Sequence, residues 1–403
     1  MQRPLLVRAI PLVGLLTLAI SGQACDSSKP TTPPADTTSV PFDDFNIVKT
    51  TLSDESYGGA TDGTNFLVAF ATTGDGGATA TPAVQMISRT GKVGTPLTFQ
   101  TNLDDPGVVA FDGTRYLTVF QQGTAKGLSD LYGQFITTAG ALSGTPFKIT
   151  TTGNAPTVFT LTYAGGTYLL TYGRGEFDPA TADSALYVMA RRIASDGTVG
   201  PELIVSTRGF QSDVAYDGTN FLVVYAGWNT NRQAHARFIS PAGVLGTDFP
   251  ISPTNTPVST PVAVAFNGTT YLAMWGKQIP GTGYDSALVI EPIATDGTLS
   301  APTRIPTSFS LSEVGEIIPV SGGGFYVTWF EADQSQHIGT LGATASTTGA
   351  IGTPKSIFAP DTLSNSVVAR IIPISGTQGM AMVNRRIHAQ WDVYAKLLTL
   401  PPP

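Results

Sequence analysis

The chain has 403 residues, with 22 Lys and Arg against 29 Asp and Glu, and the resulting net charge of -7 argues against a nucleic-acid partner, whose phosphates need a basic footprint. Charged residues make up only 13%, about half the usual share, while Thr, Ser, Gly and β-branched residues abound, a composition of β-structure. Gly (44) and Pro (29) together stay below the roughly 25 to 30% at which an aperiodic composition implies disorder, so the chain is expected to fold.

At the N-terminus, Arg3 and Arg8 form a positive region, Ala9 to Ile20 an apolar stretch of twelve, and Ser21-Gly22-Gln23-Ala24 a small or polar run before Cys25. This is the pattern of an export signal over residues 1–24. Twelve residues span about 18 Å as a helix, short of a bilayer core of about 30 Å. Cys25 is the single cysteine, which rules out an internal disulfide framework. Its place after the signal resembles that of the acylated cysteine of bacterial lipoproteins, and the resemblance implies lipidation there. Cleavage by an ordinary signal peptidase after Ala24 is the alternative. Residues 25–41, rich in Pro, Ser and Thr, read as an extended tether with no core to bury.

From residue 42 onward one unit recurs. Asp62-Gly63-Thr64-Asn65-Phe66-Leu67-Val68-Ala69-Phe70 returns as Asp112-Gly113-Thr114-Arg115-Tyr116, Asp217-Gly218-Thr219-Asn220-Phe221 and Asn267-Gly268-Thr269-Thr270-Tyr271, with drifted copies at Ala164, Ser321 and Ser375. The turns step by 50, 52, 53, 50, 54 and 54 residues, a propeller period. Each unit predicts four strands: a short apolar one, the Asp-Gly hairpin, a strand apolar on both faces such as Tyr116 to Phe120, then a third and a fourth. Fourth strands follow only six hairpins, the first at Leu97 to Phe99 and the last at Ser356 to Phe358. Phe45-Asn46-Ile47-Val48, patterned like Phe147-Lys148-Ile149, is expected to complete the seventh. The expectation is therefore an all-β, single seven-bladed β-propeller over residues 42–403, its ring closed by the N-terminal strand. The tandem (Phe/Tyr)-Asp-Gly-Thr-x-(Phe/Tyr)-Leu-Val unit resembles the repeats of secreted bacterial β-propeller lipoproteins, a likeness that implies a fold and no chemistry.

One Asp followed by Gly and Thr is a turn rather than a calcium loop, which needs carboxylates at alternate positions. The polar residues that recur in strand three, Gln85, Gln134, Arg191, Arg237, Glu291 and Lys396, differ in charge and read as stems packed between blades. His235, His337 and His388 lie in different units and do not read as a zinc site. No metal and no cofactor is expected. Length variation falls in the loops after strand two: Gly173 to Ala185 with Arg174, Gly227 to Gln233 with Trp228 and Arg232, Gly276 to Ser286 with Tyr284 and Asp285, and Asn384 to Trp391 with Arg386. Variable loops on a rigid scaffold carrying Trp, Tyr and Arg are where binding is expected, so Trp228, Arg232, Tyr284, Asp285, Arg174 and Arg386 are the candidate binding residues. The reading is of a monomeric, non-catalytic interaction module held to the membrane of the bacterial envelope through its lipid, with an unknown protein or glycan as partner. The alternative is a carbohydrate-active lyase or hydrolase using carboxylates in the central funnel.

Overall fold

The computed structural model describes residues 45–48, 53–73, 80–89, 91–99, 107–123, 129–151, 157–178, 183–227, 233–254, 256–258, 261–278, 285–307, 311–332, 338–358, 364–387 and 390–400. The export signal, the tether and Cys25 lie outside them. Among the described residues no helix is long and apolar enough to cross a membrane.

Among the described residues, twenty-eight strands form seven antiparallel four-stranded blades. The first strands, Ser53–Thr61, Val108–Phe111, Thr157–Ala164, Gly209–Tyr216, Ala263–Phe266, Leu311–Pro319 and Ser364–Ser375, each pack against the first strand of the next blade, and the last packs against the first, so they form a closed inner ring. The sheets of blades 5 and 6 touch through one bridge, Asp285 opposite Ser312. Closure is as expected: Phe45–Val48 is the fourth strand of the seventh blade, with Phe45 opposite Ala395, Asn46 opposite Tyr394 and Val48 opposite Val393.

The double-sided apolar pattern of strand two explains the packing. Side chains alternate between sheet faces, so Phe66, Val68 and Phe70 enter a cluster with Ile372, Met380 and Met382 of blade 7, while Leu67 and Ala69 enter one with Val109, Tyr116 and Ile136 of blade 2. Seven apolar clusters result, one between each pair of neighbouring blades.

The four hairpins between strands one and two that begin with Asp62, Asp112, Asp217 and Asn267 share one geometry. Asp62 Oδ1 accepts the amides of Thr64 and Asn65 at 2.7 and 2.6 Å, Asp217 repeats this at Thr219 and Asn220 with 2.7 Å each, and Gly63 and Gly218 take φ of 87° and 96°, where a β-carbon is strained. Neighbouring repeats also match each other. The blades that follow Asp62, Asp112 and Asp217 carry Tyr116, Tyr168 and Tyr271 at the head of strand two, whereas those that follow Ala164, Asn267, Ser321 and Ser375 carry Phe221, Phe325, Gly379 and Phe66. The Tyr116 and Tyr271 hydroxyls donate to the carbonyls of Asn65 and Asn220 in the preceding turn, both at 3.2 Å. Burial, then the charge of the preceding turn's Asp, raises the pKa of all three tyrosines.

Ile47 and Val48 are 4% and 5% exposed in the cluster between blades 7 and 1. Burying such side chains is worth roughly 1.5 to 3 kcal/mol each, so a chain beginning at Thr50 should melt at a lower temperature than the full chain and associate through the bared edge of blade 7. An unchanged melting temperature together with a monomeric state contradicts that role.

Candidate functional site

The antiparallel order places the hairpins between strands one and two, and between three and four, on one face of the ring. The segments from strand two to three and from four to the next blade emerge on the other. On that second face the structure shortens the loops expected from sequence. Strand two of blade 3 runs Thr167–Asp178 and strand three Asp183–Ile193, with Glu176 opposite Ala185 and Asp178 opposite Asp183, so the Gly173 to Ala185 segment is mostly hairpin. Likewise, strand Tyr271–Gln278 and strand Asp285–Ile293 consume much of Gly276 to Ser286, and Gln378–Ile387 and Gln390–Thr399 nearly all of Asn384 to Trp391. Gly and Asp are turn formers by propensity, but once a ladder is in register it carries them on.

Of the candidate binding residues, Trp228, Arg232 and Tyr284 lie outside the described residues. Asp285 opens strand three of blade 5, opposite Gln278, and Arg386 lies in strand two of blade 7, opposite Asn365 and Trp391. Arg174 is held within its own blade: its guanidinium pairs with Glu202, which also lies 3.5 Å from Arg191, and it faces the Tyr187 ring at 5.4 Å. Trp391 is buried against blade 6.

Flanking positions 228–232, the Gly227 amide donates to Gln233 O at 2.7 Å. Just below that bond, the Tyr225 hydroxyl donates to Asp248 Oδ1, and His235 Nδ1 lies 3.1 Å from Asp248 Oδ2. Burial alone would raise the Asp248 carboxyl, but the bonds from His235 and Tyr225 outweigh it and hold the group below its ordinary value. An ionised Asp248 makes Nδ1 the donor. The expected loop of blade 4 thus adjoins an oriented histidine. His337 and His388 lie outside the described residues.

Four of the six recurrent polar side chains of strand three bond at or just before the start of strand four, while Lys396 reaches Ile357 O of blade 6 at 3.5 Å. Gln85 donates to Gly94 O at 2.7 Å, Gln134 to Gly144 O at 3.3 Å, Arg191 to Gly200 O at 3.2 Å and Arg237 to Gly246 O at 2.7 Å. Arg237 also reaches Val205 O of blade 3 at 2.8 Å.

The chemistry that sequence reasoning missed is on the axis. Asp213, Glu316 and Arg370, in the first strands of blades 4, 6 and 7, are 2%, 5% and 4% exposed. Their places are equivalent: opposite them in the ladders, or beside the local bulge, lie Val224, Thr328 and Met382, each seven residues past the first residue of its turn, Asp217, Ser321 or Ser375. Asp213 accepts the amides of Val214 and, in blade 5, Val264, both at 2.8 Å. Glu316 Oε2 accepts the amide of Ile371 in blade 7 at 2.7 Å, and its Oε1 lies 3.4 Å from Arg370 Nη1. Both acids therefore cap amides on the inner edge of the following blade, groups with no ladder partner. Burial raises both carboxyls, Asp213 to about 7. A signal for them existed: the residue four or five before each turn reads Gly58, Val108, Thr160, Asp213, Ala263, Glu316 and Arg370 down the repeats.

No protein-family model matches the chain, and no curated protein does. Solved structures do. A candidate 6-phosphogluconolactonase from Bacteroides fragilis NCTC 9343 superposes with a TM-score of 0.51 at 13% identity, over 85% of this chain and 98% of its own. The acylaminoacyl peptidase of Pyrococcus horikoshii gives 0.51 at 9% identity over 89% of this chain and 52% of its own, so the match spans about half of that peptidase. The periplasmic gluconolactonase of Pseudomonas aeruginosa gives 0.45 at 12% identity, over 84% and 99%. The likeness is one of fold. At such identities it decides no activity.

Glu202 pairs with two guanidiniums that are 12% and 16% exposed, Arg174 and Arg191. Glu202→Ala should therefore cost about 1 to 3 kcal/mol of unfolding free energy, more than a surface ion pair, read from the denaturant midpoint. A loss below about 0.5 kcal/mol would show that Arg174 is not tied into the blade.

Proposed function

We propose that this chain is an exported lipoprotein, anchored through Cys25 to the bacterial envelope, whose propeller is a non-catalytic interaction module for a protein or glycan. The observation that carries this reading is how the charged side chains are used. Arg174, Arg191, Arg237, Asp213 and Glu316 bond to other blade or strand groups of the same chain, while length variation is confined to one face. Side chains engaged in this way build a rigid frame, and a rigid frame with variable loops is suited to binding. The runner-up, a carbohydrate-active lyase or hydrolase, draws its support from Asp213 and Glu316, two buried acids on the inner ring. Both oxygens of Asp213 and one of Glu316 already accept backbone amides, which ranks the module first.

The anchor is tested by fractionation: Cys25→Ala should move the protein from the membrane to the soluble fraction, and a variant that stays with membranes as the wild type does refutes it. The module is tested by capture from envelope extract with a soluble form beginning near Pro41. Alanine at Trp228, Arg232 and Tyr284 together should weaken the captured complex by at least about 2 kcal/mol. Loss caused instead by changes in the Asp-Gly-Thr turns of a folded protein puts the site on the opposite face. Turnover of a polysaccharide that is abolished by Glu316→Gln in a folded variant favours the enzyme.

A further inference from the structure

The inner ring has seven equivalent positions, and four of them are filled by Gly58, Val108, Thr160 and Ala263. Gly58 is there because the blades touch, since a β-carbon on it would lie 2.8 Å from the Val108 backbone. Thr160 donates to Ser212 O of blade 4 at 2.9 Å. The charged groups at this level are thus Asp213, Glu316 and Arg370. From the second strands behind them, Val224 and Thr328 add no charge, and the Thr328 hydroxyl accepts the Glu316 amide at 2.9 Å. Asp54, further along the first strand of blade 1, accepts the Thr72 hydroxyl at 2.6 Å.

We infer that Asp213, Glu316 and Arg370 form a proton-linked latch on the inner ring: the two carboxylates close the junctions of blade 4 with 5 and of blade 6 with 7, and, with one guanidinium buried on the ring against two acids, they hold a proton that the opened chain releases. The burial requires the proton. Arg370 pairs with Glu316, whereas Asp213 meets only backbone amides, so two ionised carboxylates leave an uncompensated negative charge away from water, which is far costlier than a neutral acid. Protonation preserves the latch, because a carboxylic acid still has a carbonyl oxygen to accept an amide. The charges felt by Asp213 are those of Arg370 and Glu316, and burial outweighs them in raising its carboxyl to about 7. Gln211, two residues before Asp213, holds φ at 45° in the bulge between Phe210 and Ser212, a strained conformation that the strand maintains at this junction.

The sign follows from linkage. An acid whose pKa is higher folded than unfolded binds more protons in the folded state, so it contributes stability at low pH that is lost as pH rises from the unfolded value, 3.8, through about 7. Glu291, outside the latch and also raised to about 7 by burial, has the same sign, so the comparison is made in Glu291→Gln protein. Its folding equilibrium constant should fall by up to tenfold per pH unit between about pH 4 and 7, and adding Asp213→Asn or Glu316→Gln should flatten that slope. Both additions keeping the parent slope overturns the latch. Should the added variants fail to fold, the Glu291→Gln parent with His235, His337 and His388 also changed to Gln, which removes the imidazoles that titrate near this pH, is unfolded in unbuffered solution at pH 6, where acids of ordinary or lowered pKa are ionised in both states. Release approaching one proton per chain supports the latch, and no release, or uptake, overturns it.

Discussion

The structure depends on each sheet being apolar on both faces. A four-stranded sheet of this kind cannot be left with a face in water, and its neighbours on either side supply the cover. Seven such sheets bury seven interfaces only if the ring is complete, so the pairing of Phe45–Val48 with the last blade is a condition for the rest. The single cysteine excludes an internal disulfide, and closure must be held by packing and by polar bonds across the blade junctions.

Those polar bonds differ with radius. Near the turns, tyrosines reach back to the preceding hairpin where that hairpin begins with Asp. In the outer strands, Gln and Arg stems reach the carbonyls where strand four begins. On the axis, carboxylates cap the amides that a first strand presents to the centre. Around the ring the contacts repeat while the residues vary. The pattern of charge that looks irregular along the chain therefore follows from which backbone group each side chain meets.

Much of this was legible in the sequence, for physical reasons that can be named. The period, the hairpins and the closing strand come from local turn chemistry repeated seven times, and the bounds Phe45–Val48 could be read from the Phe-x-Ile pattern alone. Strand lengths were less legible, because Gly173, Gly175 and Asp178 look like loop while a ladder in register extends through them. The axial acids were hidden by bulges: Glu316 and Arg370 stand five residues before their turns and Asp213 four, so an alignment on the turns scatters them. Nothing in the sequence of Arg174 separates a ligand-binding arginine from one that its own blade holds. Trp228, Arg232 and Tyr284 stay where the sequence left them, as candidates.

The direction in which the first strand enters the ring also sets the side from which the chain joins it. Phe45 lies opposite Ala395 and Val48 opposite Val393, so the chain runs from the side of the Asp-Gly-Thr turns toward the side of the variable loops. Whatever precedes Phe45 leaves from the rim of the turn side. If Cys25 carries the proposed acyl chain, its link to the ring starts on the uniform, small-residue side, and the variable loops occupy the side opposite that attachment.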